Sequence, residues 1–183
     1  MKYLSFSRRA MWVMAVGLLL ALALPGQAAN VALGKSAYAT SNQATQANVN
    51  DNSTSTVWSN DGSLSAPNDS VWIDLGAPTS IKSVRMYWNG EPLDFNVDVA
   101  TTVDNDINST DYGVGDWTTV YTRSSLDPRP GSPDLIDLSS QNLTYRYVRI
   151  NGMTGSSAAV LTWGITEFQV YDSVLPTVSG TTL

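Results

Sequence analysis

Short runs of alternating apolar and polar residues, broken by Gly, Pro, Asn and Asp, constrain this chain more than any other feature. Val71-Trp72-Ile73-Asp74-Leu75-Gly76 reads as a strand stopped by Gly76 and the turn at Ala77-Pro78. Ile81, Val84, Met86 and Trp88 mark the next, and Phe95, Val97 and Val99 alternate with polar partners as a half-buried strand does. Trp117 to Tyr121 and Leu135 to Leu138 follow. Tyr145 to Ile150 then splits into Tyr145, Tyr147 and Arg149 on one face and Arg146, Val148 and Ile150 on the other. Ile165, Phe168, Val170 and Tyr171 close the series, and no amphipathic helix of convincing length interrupts it. Many short strands joined by such turns predict an all-β fold, an antiparallel β-sandwich or jelly roll.

The first 28 residues stand apart from this pattern. Lys2, Arg8 and Arg9 precede an apolar run from Met11 to Leu24, and Gly26-Gln27-Ala28 supplies the small-residue ending of a secretory signal peptide. The run is short for a membrane span, so the expectation is export and cleavage, giving a secreted, periplasmic or cell-surface protein with no membrane insertion. The sequence holds no cysteine, which excludes disulfides and a lipidated cysteine alike. Residues 29–172 form the expected domain, and 173–183 have the composition of a linker or disordered tail. Such a tail suits a module that works in a larger assembly or beside a catalytic partner. Without the signal, seven basic residues face sixteen acidic ones, a net charge of −9. Nucleic acid requires clustered Lys and Arg, so it is not an expected partner.

Two stretches carry oxygen donors. DNSTSTVWSN, residues 51–60, crowds Asp51, Ser53 and Thr56 into a turn before Trp58, and WGITEFQVY, residues 163–171, holds one carboxylate, Glu167. If they meet in space they offer the hard ligands calcium takes. Read alone, Asp51 equally caps a turn and Glu167 is a solvated strand residue. The loop VDNDINSTDYGVGD, residues 103–116, spaces Asp104, Asp106 and Asn108 like the opening of an EF-hand. It lacks the glycine at the sixth position and the glutamate at the twelfth, so it reads as a solvated acidic hairpin.

Among the tryptophans of the domain, Trp58, Trp72 and Trp117 fall in strand patterns and are expected in the core, while Trp163 stands just before the last strand. Trp88 ends a strand and opens Asn89-Gly90-Glu91-Pro92. An indole beside an amide and a carboxylate can stack on the C–H face of a sugar while the polar groups take its hydroxyls. The competing reading is a rim residue that covers the core. Ser41-Asn42-Gln43, Asn60, Asp61 and Arg129 (stiffened by the prolines of DPRPGSP) are further candidates for the same end.

The order of these motifs resembles one family, the discoidin or factor V/VIII C-type domain in its bacterial form, a family 32 carbohydrate-binding module. The matching pieces are NVALGKSAYATS (30–41), NVNDNSTSTVWS (48–59), VWIDLGAPTSIKSVRMYW (71–88), DWTTVYT (116–122), YRYVRING (145–152) and WGITEFQVY (163–171). The resemblance implies a galactose-binding-like jelly roll without catalytic residues that binds glycans through loops at one end. It also implies a structural calcium held by the side chains of Asp51 and Glu167, by Thr56, and by carbonyls near Asn48 and Ser53. Asp51-Asn52-Ser53 stands where the family turn reads Asp-Gly-Asn, and Asn tolerates the left-handed conformation needed there. The sequence has no histidine, a residue many galactose-binding relatives place in the site, so no galactose preference carries over.

The leading expectation is therefore a secreted, non-catalytic glycan-binding module. The alternative is a structural or adhesive domain of the cell surface or envelope making protein contacts. A two-carboxylate glycosidase is the least supported, because the carboxylates fall mostly in turns and the pair Asp51 and Glu167 is better explained by calcium.

Overall fold

The computed structural model describes residues 28–60, 69–124, 133–156 and 163–175. The expected signal at 1–28, apart from Ala28, and the tail beyond Leu175 lie outside them, as do Asp61 and Arg129. Nine strands appear among the described residues: β1 (Ser36–Ala39), β2 (Trp58–Ser59), β3 (Val71–Ile81), β4 (Ser83–Trp88), β5 (Pro92–Ala100), β6 (Thr118–Arg123), β7 (Asp134–Asp137), β8 (Leu143–Ser156) and β9 (Gly164–Tyr171). They form a five-stranded sheet in the order β1-β3-β8-β5-β6 and a four-stranded sheet in the order β2-β9-β4-β7. Every pairing is antiparallel. The only helical segments described are two 3-10 turns, Gln43–Asn50 and Ser139–Gln141. None of the described helices is long and apolar enough to cross a membrane.

The apolar halves of the alternating strands meet between the sheets. Ile73, Val97, Val99, Val148 and Ile150 from one sheet bury against Trp58, Val84, Met86, Ile165, Phe168 and Val170 from the other. Burying each large side chain of this kind contributes about 1.5–3 kcal/mol, and with no disulfide this core carries the fold.

Two strands carry irregularities that alternation alone does not show, and Ile81, read with the strand of Val84 to Trp88, instead ends β3. Gly76 does not stop β3. Its backbone turns at φ 88°, its N–H donates to Asp74 Oδ1 at 2.8 Å, and the ladder with β8 slips between Asp74 and Thr79 before resuming to Ile81. Glycine here makes a bulge rather than an end, because the strand regains its partner beyond it. The second irregularity lies in β9. Tyr87 pairs with Glu167 but Trp88 pairs with Ile165. The extra residue, Thr166, lets Ile165 as well as Phe168 face the core and leaves Glu167 on the opposite side, against the 43–56 segment.

Trp72 is buried as expected, but not in the main core. With Ala100 and Tyr147 it forms a second small cluster, packed by Tyr38, Val103, Tyr112 and Trp117. The 101–117 loop closes over it: Asn105 Oδ1 accepts from Trp72 Nε1 at 2.9 Å, and Tyr112 lies 5.2 Å from the indole. Trp117 is only half-buried, under the guanidinium of Arg149 at 4.0 Å.

Candidate functional site

Antiparallel pairing fixes which loops share an end. Trp88 pairs with Ile165, and Trp58 does too from the other side. The turn Asn89–Glu91, the residues after β1, Asn60, the end of β6, the start of β7 and Trp163 therefore gather at one end of the sandwich. Short bonds lace them together. Asn42 Nδ2 donates to Ser59 O at 2.7 Å, Asn89 N to Gly164 O at 2.8 Å and Gly164 N to Gly90 O at 3.2 Å. Gly164 must lack a side chain, since a Cβ there would lie 2.8 Å from Ser59 Oγ and 2.9 Å from Trp58 O.

The expected sugar-binding residues divide in two here. Asn89 is exposed and Glu91 reaches the rim. Asn60 is buried, and its Oδ1 accepts from Trp163 N at 3.2 Å, which braces the β2–β9 corner rather than offering an amide to solvent. Trp88 is half-buried. One part of it packs on Phe95, with centroids 5.3 Å apart, and its Nε1 donates inward to Asp134 Oδ2 at 2.9 Å. The indole thus covers the core, as the rim reading expects, and its outer part borders the loop end.

Two residues without a role in the sequence reading organise this end. Arg123, 3% exposed, ion-pairs through Nη1 with Asp134, itself buried. Its Nη2 lies 2.9 Å from Glu91 Oε1, off the line a hydrogen bond would take. The guanidinium also sits 5.8 Å over the Phe95 ring. A signal existed: Arg123 pairs with Phe95 and shares the parity of Tyr121, which pairs with Val97. It is a charge on the core-facing side of a strand.

The calcium candidates also come together. Asn52 adopts φ 64°, the left-handed turn anticipated for Asp51-Asn52-Ser53, and Asp51 Oδ1 accepts from Ser53 N at 2.9 Å. Asp51 Oδ2 accepts from Thr56 Oγ1 at 2.8 Å. Glu167 is 1% exposed, and no well-formed hydrogen bond reaches either of its oxygens. Burial, then the neighbouring charge of Asp51, pushes its carboxyl up to about 7, although the amides of Asn52 and Ser53 partly offset this. Two carboxylates and adjacent hydroxyl and carbonyl oxygens around an unpartnered buried acid fit a hard cation. Asn48 can join only through its carbonyl, since its Nδ2 donates to Val57 O at 2.9 Å.

The acidic loop behaves differently. Asp104 and Asp106 accept from backbone amides two residues on, at 2.9 and 3.0 Å, and Asp116 accepts from Thr101 and Thr102, which holds its carboxyl down at about 2. Among the described residues no three carboxylates gather as a metal site.

Comparison with known proteins bears on the family and the fold. The family model described as the NedA-like, galactose-binding domain of F5/F8 type C matches residues 48–150, and the chain belongs to that family. Among solved structures, a variant of chitosan-binding module 1 from a chitosanase/glucanase of Paenibacillus sp. IK-5 is 25% identical with a TM-score of 0.62, covering 79% of this chain and 99% of that one. Module 2 of the same enzyme, in complex with chitotriose, is 27% identical with a TM-score of 0.60 over 78% and 99%. The family 32 module of C. perfringens NanJ, in complex with galactose, shares the fold at 17% identity, TM-score 0.58, over 79% and 98%. No curated protein sequence matches. The fold is that of a carbohydrate-binding module.

Proposed function

We propose that this chain is a secreted, non-catalytic carbohydrate-binding module that takes glycans at the Trp88 end and holds a structural calcium between the 51–56 turn and β9. The observation that carries the glycan reading is the convergence of Trp88, Asn89 and Glu91 on one rim, built by loops from both sheets. Relatives 25–27% identical over nearly their full length are named for chitosan binding, one of them bound to chitotriose.

The described carboxylates of this end, Asp69, Glu91, Asp94 and Asp134, outnumber its one described cation, Arg123. That balance favours neutral or amino sugars over uronic and sialic acids. Stacking on one indole contributes on the order of 1 kcal/mol, and hydroxyl hydrogen bonds that replace bonds to water add little. Single-site affinity is therefore weak, and retention on a polymer depends on several sites acting together. The non-catalytic reading is supported by Glu91 and Asp134, which both face Arg123 and are held in its ion pairs.

Glu167 and Asp51 would hold the ion through their carboxylates, with Thr56, Ser53 and Asn48 as neutral oxygen donors. Calcium there would supply cross-linking of the turn to the strand and no chemistry. Titration of the exported chain with chitotriose, N-acetylglucosamine oligomers, galactose and a uronic acid oligomer tests the reading. Saturable binding to one of the first three is expected, and binding to none of them, or to the uronic acid alone, overturns it.

A further inference from the structure

We propose that Arg123 is the positioning residue of the glycan end: it does not touch the sugar, but sets the 89–91 turn and the Trp88 indole in the orientation that does. The inference rests on the glycan reading above and goes beyond it, to the device that gives the site its shape.

Stability does not explain this arginine. A buried guanidinium and the two carboxylates it faces are, as a cluster, often no more stabilising than apolar side chains in place of all three, although removing the arginine alone strands the acids. Phe95, its partner across the ladder, already supplies an apolar alternative at that level. What the charge adds is direction. The guanidinium is a planar fork with fixed donor angles, and its two terminal nitrogens face carboxylates from two different segments, Glu91 before β5 and Asp134 at the start of β7.

The same carboxylate carries the constraint onward. Asp134 Oδ2 takes both Arg123 Nη1 and Trp88 Nε1, so the rotation of the indole about its own axis is set by the position of the arginine. Phe95 backs both groups, under the guanidinium and against the indole. Of the charged members only Glu91 reaches the surface, with 15% of its side chain exposed against 3% for Arg123 and 3% for Asp134. A ligand at the rim thus meets Glu91, Asn89 and the edge of Trp88, while the group that fixes them stays out of reach.

The role differs from that of a buried ion pair that merely holds the fold, and the test uses that difference. Arg123→Lys keeps the charge but loses the fork, so it cannot face both carboxylates in the same geometry. In the calcium-loaded protein, affinity for chitotriose should weaken about tenfold, the factor that corresponds to loss of one well-aligned contact. The Trp88 indole N–H resonance, assigned by its disappearance in Trp88→Phe, should shift in the ligand-free variant. Glu91→Gln should shift the same resonance and weaken chitotriose binding in the wild-type background, but by less than about twofold when Arg123 is already Lys, because groups in one network are not additive. If Arg123→Lys fails to fold, Glu91→Gln carries the test through the indole resonance of the ligand-free protein, which direct contact of Glu91 with sugar would not move, since it leaves the Arg123–Asp134 pair intact.

A purely structural arginine predicts a lowered melting temperature with chitotriose affinity within twofold of wild type and the indole resonance unmoved, and that result overturns the proposal. A wild-type protein that binds none of the sugars overturns the glycan reading and this role together, whereas binding that survives both substitutions overturns the role alone.

Discussion

Two buried acids, Asp134 and Glu167, lie on neighbouring regions of the same sheet and are treated in opposite ways. Asp134 is met by Arg123 and by the Trp88 indole, so its charge is balanced inside the protein. Glu167 has no such counter-charge: both oxygens are buried without a well-formed hydrogen bond, and the charge that acts on them is the like charge of Asp51. A carboxylate balanced from within serves geometry. One left unbalanced takes up either a proton or a cation from outside, since an isolated buried charge is not tolerated at neutral pH.

Removing the internal balance should have the largest effect. Arg123→Met leaves Asp134 buried without a counter-charge and should lower the unfolding free energy by roughly 3–5 kcal/mol, read by urea denaturation. Glu167→Gln, measured the same way in chelator, should lose nothing, because it removes a repelled charge. Equal losses in the two variants would erase the contrast.

Next in size is the external balance. Calcium at a hundred times its Kd should add about 2.7 kcal/mol, roughly 5–10 °C in melting temperature for a domain of this size. Glu167→Gln and Asp51→Ala should lose that response while Arg123→Lys keeps it. A melting curve of the wild type indifferent to chelator would contradict the structural ion.

The pH dependence in chelator sharpens the same point. Glu167 titrates at about 7 in the folded chain against an ordinary 4.5, so the unfolded chain gives up the proton first. The stabilisation is fully present below 4.5 and is lost as pH rises to about 7, by on the order of 3 kcal/mol. Glu167→Gln should remove this fall, and a wild-type stability that instead rises over that interval in chelator would exclude the shift.

The smallest effect is on binding. Trp88→Ala should weaken chitotriose affinity about fivefold or more, by loss of stacking and of the Asp134 contact, with the calcium response unchanged because Trp88 lies outside the 51–56 turn. Intact binding would move the sugar elsewhere on the molecule.

Much of the fold was legible because period-2 alternation is a backbone property, and Val97, Val99, Val148 and Ile150 stand in the core where it places them. The limits of β3 were not, because Gly76 makes a bulge as readily as an end and only the partner strand decides between them. Asp51 and Glu167 were found as a pair through the order of motifs, since 116 positions separate them in the chain. Arg123 and Asp134 went unnoticed because each looks like an ordinary strand-end charge. Their meaning arises only when the two sheets close and bring them beneath Trp88. The second cluster around Trp72 escaped for a similar reason, as its cover is a loop with no periodicity of its own.

The bridge between Asn30 and Tyr171 has a mechanical consequence. Val31 N donates to Val170 O at 2.8 Å, and Asn30 Oδ1 accepts from Val170 N at 3.2 Å, so the described chain enters and leaves at one corner. That corner lies six residues along β9 from Ile165, about 20 Å from the Trp88 rim. A pull on any flanking chain is therefore taken up by this clasp and does not run through the loops that would grip a polymer.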